Sequence, residues 1–157
     1  MSIQIVIVKN PNSQYYDRYC TFNSIDTKKG LIPENIIGLF SGEYPLDKDE
    51  LVSSFSANSI FKKLMHEVIE KYKPLDISFQ EEVKREKDGW VYLIDGRCKD
   101  PNGRVFPCDI IGAFRIENSK VLEYKANNKY MLYTKEGFFR LDNDIEKILI
   151  EIILSKY

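Results

Sequence analysis

The chain has 157 residues, 43% of them hydrophobic and 30% charged, with 8 glycines and 6 prolines. That length suits one domain with a real core, and the composition excludes disordered, collagenous and low-complexity classes. Lys and Arg total 23 against 24 Asp and Glu, so no cationic surplus exists to displace phosphate counterions, and direct nucleic-acid binding is not expected.

Residues 2–8 read as a short apolar strand buried in a sheet, from the strand propensity of Ile and Val. The same run is too short, and lacks a preceding basic segment, for a secretory signal. Residues 14–24 read as a second, aromatic-rich strand, 26–30 as a turn, 31–40 as a third extended segment and 41–56 as an irregular polar stretch. From Asn58 a helix is predicted, because Ile60, Phe61, Leu64, Met65, Val68, Ile69 and Tyr72 recur at spacings of three and four. Pro74 stops it.

Residues 76–83 and 90–98 read as strands around a charged turn. Asp100-Pro101-Asn102-Gly103 carries the residues of a type I turn, which predicts a hairpin joining 90–98 to 104–116. Further strands are expected over 120–125, 129–134 and 137–141, separated by Asn118-Ser119, Asn127-Asn128 and Glu136-Gly137. The last helix starts near Asn143, with Asp142 or Asn143 as cap and Ile145, Ile148, Leu149, Ile152 and Ile153 as its apolar face. Glu146, Lys147 and Glu151 interrupt 145–154, far short of the roughly 20 apolar residues a membrane span needs. The expectation is an untargeted, cytoplasmic protein without membrane contact.

Two pairs of segments resemble each other in the same order. IPENIIGLF (32–40) aligns with FPCDIIGAF (106–114), and the helix at 58–72 aligns with 143–157. The expected fold is α+β, a mostly antiparallel sheet with two main helices, in one domain spanning 1–157, with 1–75 and 76–157 as candidate pseudo-repeats.

Catalytic spacings are absent: no GxGxxG, no P-loop and no GxSxG occurs. The odd set of Cys20, Cys98 and Cys108 fits a reducing compartment. Asp95, Cys98, Asp100, Cys108 and Asp109 gather around one hairpin without a metal-ligand spacing, so neither a metal nor a cofactor is expected. His66, the single histidine, falls among Lys62, Lys63, Glu67 and Glu70 and reads as a solvated surface residue. A small hydrolase pairing it with a cysteine or carboxylate is the enzymatic alternative.

Two features point to protein binding instead. Residues 43–50 (EYPLDKDE) carry Glu43, Asp47, Asp49 and Glu50 against Lys48, a net charge of −3, around Tyr44; such a patch steers a cationic partner, the alternative being a solvated loop with a helix start near Asp47. Tyr15, Tyr16 and Tyr19 crowd the second strand, and tyrosine is favoured at interface hot spots. These eight residues, Glu43, Tyr44, Asp47, Asp49, Glu50, Tyr15, Tyr16 and Tyr19, are the candidate partner-binding set.

The segment 101–141, with its PxDIIGxF stretch and its short strands ending in TKEGFFRL, resembles immunity proteins paired with bacterial contact-dependent growth-inhibition toxins. That resemblance implies a non-enzymatic role: binding and occluding one cognate toxin domain, a nuclease, with an RNase ahead of a DNase. A structural or regulatory interaction module is the alternative.

Overall fold

Four strands open the chain in a simple meander. β1 (Ile3–Lys9), β2 (Tyr16–Phe22), β3 (Gly38–Phe40) and β4 (Phe55–Ala57) pair antiparallel in that order. The computed structural model describes residues 3–12, 14, 16–42 and 47–157. A helix, α1 (Lys48–Ser54), interrupts the meander before β4, and α2 (Ser59–Tyr72) follows it. The second part of the chain builds α3 (Ile77–Glu86) and a three-stranded antiparallel sheet of β5 (Gly89–Ile94), β6 (Ile110–Glu117) and β7 (Lys120–Ala126). A small hairpin of β8 (Tyr133–Thr134) and β9 (Gly137–Phe138) leads into α4 (Asn143–Leu154). The fold is therefore α+β with antiparallel sheets, as the sequence implies, but with four helices among the described residues rather than two main ones.

α2 and α4 form where their periodicity puts them. The Asn58 side chain accepts from the Ile60 amide at 3.2 Å and the Asp142 side chain from the Ile145 amide at 2.9 Å, each satisfying an otherwise orphaned donor of the first turn. Their buried faces, Phe61, Met65, Val68 and Ile69 on α2 and Ile145, Leu149 and Ile153 on α4, meet in a single core. Phe22 from β2, Phe61 from α2 and Phe139 beyond β9 stack edge-on or tilted, with centroids 5.7–6.2 Å apart and each ring fully buried. One cluster therefore spans both parts of the chain.

The segment expected as a strand at 76–83 is the helix α3. Ile77 and Phe79 alternate as in a strand, yet the buried pair is Phe79 and Val83, four apart and on one helical face. The Asp76 side chain caps the first turn by accepting from the Phe79 amide at 3.1 Å. The stretch read as irregular at 41–56 holds α1 at the helix start expected near Asp47, capped by Asp47 accepting from Glu50 at 2.8 Å, and also holds β4.

The Asp100–Gly103 turn forms, with the Gly103 amide on the Asp100 carbonyl at 3.2 Å, but it does not close a tight hairpin. β5 ends at Ile94 and β6 starts at Ile110, so 95–109 is a long connection held by a buried ionic network. Arg97 donates from Nε to Asp109 Oδ1 at 2.8 Å and from Nη2 to the carbonyls of Cys108, at 2.8 Å, and Met131. Asp95 accepts from the Tyr130 hydroxyl at 2.6 Å and from the backbone amides of Arg97 and Arg140. Burial and the adjacent Asp95 carboxylate push the Tyr130 hydroxyl far above its ordinary pKa, so it stays a donor. Every charge here has partners, which is the condition for tolerating burial.

Two turns are built alike. Pro33 and Pro107 each start a 3-10 turn leading into Ile36-Ile37-Gly38 and Ile110-Ile111-Gly112. Asn58 Nδ2 donates to the carbonyls of Pro33 (2.6 Å) and Ile36 (2.7 Å), and Asn127 Nδ2 donates to Pro107 and Ile110 (both 2.8 Å). Gly38 lies opposite Ala57 and Gly112 opposite Ala126. In both places an aromatic ring two residues earlier, Phe55 or Tyr124, lies over the glycine, leaving no room for a Cβ. The partner of Asn58 in this correspondence is thus Asn127, not Asn143 as the helix alignment suggests.

Candidate protein-binding surface

The core face of the first sheet outruns its cover. On β1, residues 3, 5 and 7 share a face with residues 22, 20 and 18 of β2. Ile3 packs on the core, while Ile5 is 45% exposed and Ile7 65% exposed. The strand read as buried is in fact the edge of its sheet, with β2 as its one neighbour among the described residues. Sequence alone cannot separate these cases, since a fully apolar run suits either position until strand order is known.

Where the cover stops, a groove of about 800 Å³ opens. Its floor is Ile5, Ile7, Tyr16, Arg18 and Phe40 of the first sheet, and its far wall is Leu51 of α1 with Tyr133 and Phe138 of the small hairpin. Phe40, Phe55, Tyr133 and Phe138 form a tight aromatic cluster beneath it, with T-shaped and tilted contacts at 4.8–6.2 Å. Arg18, only 7% exposed, brings a guanidinium into this apolar setting. Its positive charge opposes the burial that pushes the neighbouring Cys20 thiol up to about 12, and burial wins.

The structure brings part of the predicted set to this groove. Tyr16 is 54% exposed and lines it. Asp47, Asp49 and Glu50 are exposed at the start of α1, within the four residues that precede the groove residue Leu51. The Asp47 side chain is engaged as the helix cap, and Asp49 pairs with Lys135 at 3.0 Å. Tyr19 is half-buried on the other face of β2, opposite Val6 and Leu39. Tyr15, Glu43 and Tyr44 lie outside the described residues. The residues that sequence reasoning missed are Ile5, Ile7, Phe40 and Phe138, whereas Tyr133 is one of the tyrosines that recur after Tyr15, Tyr16 and Tyr19. The recurring aromatics of 133–138 are their one trace in the sequence.

His66 is not the solvated residue its polar neighbours suggest. It is half-buried between α2 and β7, and its Nδ1 meets the Tyr124 hydroxyl at 2.7 Å. Burial first, and the Lys62 ammonium second, lower its pKa to about 4, so the ring is neutral and the tautomer sets whether Nδ1 or the Tyr124 hydroxyl donates. Burial and Glu70 raise the Tyr124 hydroxyl in turn. No cysteine or carboxylate hydrogen-bonds His66 among the described residues. Among those residues no group of three or more His, Cys, Asp or Glu side chains could hold a metal ion, and no helix is long and apolar enough to cross a membrane.

A second, shallower hollow of about 520 Å³ lies on the outer face of the three-stranded sheet, between Trp90, Tyr92, Lys125 and Asn127. Trp90 is 37% and Tyr92 57% exposed there. No protein-family model, no curated protein and no solved structure matches this chain.

Proposed function

We propose that this chain is a non-enzymatic cytoplasmic immunity protein, which binds the catalytic domain of one bacterial toxin, a nuclease, and blocks its active site. The observation that carries the reading is the groove: about 800 Å³ over a largely apolar floor, lined by exposed Tyr16 and by Leu51, which follows the acidic first turn of α1. An apolar centre with an aromatic anchor and a charged margin is the anatomy of a protein interface. RNases and DNases present cationic active sites, and the acids at 47–50 offer them a field of opposite sign. The local motif PxDIIGxF, on which the resemblance to immunity proteins rests, builds the turn at 107–109 and β6.

The test is co-expression with the product of the adjacent gene in the source genome. Rescue of growth, with a 1:1 complex that Tyr16→Ala weakens and Glu50→Lys makes less salt-sensitive, supports the reading. A stable complex whose partner is harmless to cells when expressed alone would instead identify a structural or regulatory module. Rescue without any complex would refute occlusion.

A further inference from the structure

The edge of the first sheet has an unusual character. β1 carries seven residues, IQIVIVK, of which only Lys9 is charged. It contains neither proline nor bulge, and its pairing with β2 is continuous from Ile3 to Lys9. In an antiparallel pair alternate residues point their N–H and C=O groups away from the neighbouring strand. Among the described residues, no backbone hydrogen bond reaches β1 from anywhere except β2. Proteins usually protect such edges with charge, proline or a bulge, and β1 has little of that protection.

We infer that β1 pairs with β1 of a second copy, antiparallel about a two-fold axis at Val6, joining two four-stranded sheets into one. The occupant follows from the residues. A two-fold axis normal to the sheet keeps the groove face of both copies on the same side, so only registers that oppose residues of the same face are allowed. Of these, the register centred on Val6 uses the whole strand. It sets Ile5 against the second copy's Ile7, and Ile7 against the second copy's Ile5. The two most exposed groove-face isoleucines thereby cover each other. Lys9, the one charge, falls opposite Ile3 and not opposite itself, so no like-charge pair opposes association. The inference needs only this chain and does not depend on the toxin reading.

The experiment is sedimentation velocity over roughly 1 µM to 1 mM, a range that spans weak to moderate self-association. A species of twice the 18.4 kDa chain mass is expected to accumulate with concentration. Ile7→Lys should raise the dimer dissociation constant at least tenfold. Adding Ile5→Glu to it places a lysine of one copy opposite a glutamate of the other, twice, and should restore the dimer. That rescue separates a lost contact from a lost fold, with circular dichroism as the check. A wild-type monomer throughout the range overturns the inference, as does a dimer indifferent to Ile7→Lys. Failure of the double variant to recover overturns the register. A monomer whose amides at 3–9 gain hydrogen-exchange protection only on addition of the adjacent gene's product also overturns it, assigning the edge to that partner's strand.

Discussion

The replacement His66→Asn tests the buried contact between α2 and β7 through its dependence on pH. An asparagine amide can occupy the Nδ1 position and keep a hydrogen bond with Tyr124 in either direction, but it cannot take up a proton. In the wild type the folded ring titrates near 4 against an ordinary value of 6.5. Between those values the unfolded chain binds the proton and the folded chain does not, so stability is complete above 6.5 and declines as the pH falls toward 4. Integrating the linkage relation from pH 7.5 to 5.0 assigns about 2 kcal/mol of lost stability to this one group. Urea unfolding of both proteins at the two pH values isolates it, because carboxylates titrate equally in each. The wild type should lose about 2 kcal/mol more than the variant. As the chain has one histidine, its ring resonance also reports the titration without assignment. Equal losses in the two proteins, or a ring that titrates near 6.5, would refute the buried, neutral hydrogen-bonded state.

Other predictions concern stability and reactivity. Arg97→Met leaves Asp95 and Asp109 buried without their cation and should cost about 3–5 kcal/mol in thermal or urea unfolding, whereas Tyr130→Phe, removing one hydrogen bond to a carboxylate, should cost about 1.5–3 kcal/mol. Gly38→Ala puts a Cβ 2.5 Å from both the Phe55 ring and the Ser56 carbonyl; the expected loss is about 1–3 kcal/mol, measured against Gly30→Ser as an uncrowded but backbone-strained comparison. Cys20, fully buried with its thiol pushed up to about 12, should resist thiol reagents at pH 8 until the protein unfolds, while partly exposed Cys98 reacts in the folded state. Mass spectrometry of the labelled peptides distinguishes the two.

How far these features could be read from sequence depended on whether their cause was local. α2 and α4 were legible because cap, period and charge all lie within one segment. α3 was not, because Ile77 and Phe79 alternate like a strand, whereas in the fold Phe79, 5.0 Å from Phe114, and Val83 are buried together on one helical face. The turn at 100–103 was legible, but the length of the connection around it was not. The network that holds 95–109 draws Tyr130, Met131 and Arg140 from distant positions. The acidic start of α1 was visible, and Asp47 followed by Glu50 already carries the capping spacing. The groove beside it was invisible, since it exists only because β1 falls at an edge and the small hairpin stops short of it. The equivalence of Asn58 and Asn127 was hidden for a similar reason: α1 lies between Gly38 and Asn58, and the second part has no counterpart at that place.

The triad of Phe22, Phe61 and Phe139 has a consequence for synthesis. Its third ring, together with Leu149 and Ile153, comes late in the chain. Until 139–153 have left the ribosome, Phe22 and Phe61 lack the ring that completes their cluster, and the two aligned turns, each closed by an asparagine from well beyond it, have no shared core to settle on. One shared core predicts a single late folding event instead of two successive ones, and a nascent chain stalled before residue 139 is expected to expose the apolar residues of its first sheet to chaperones.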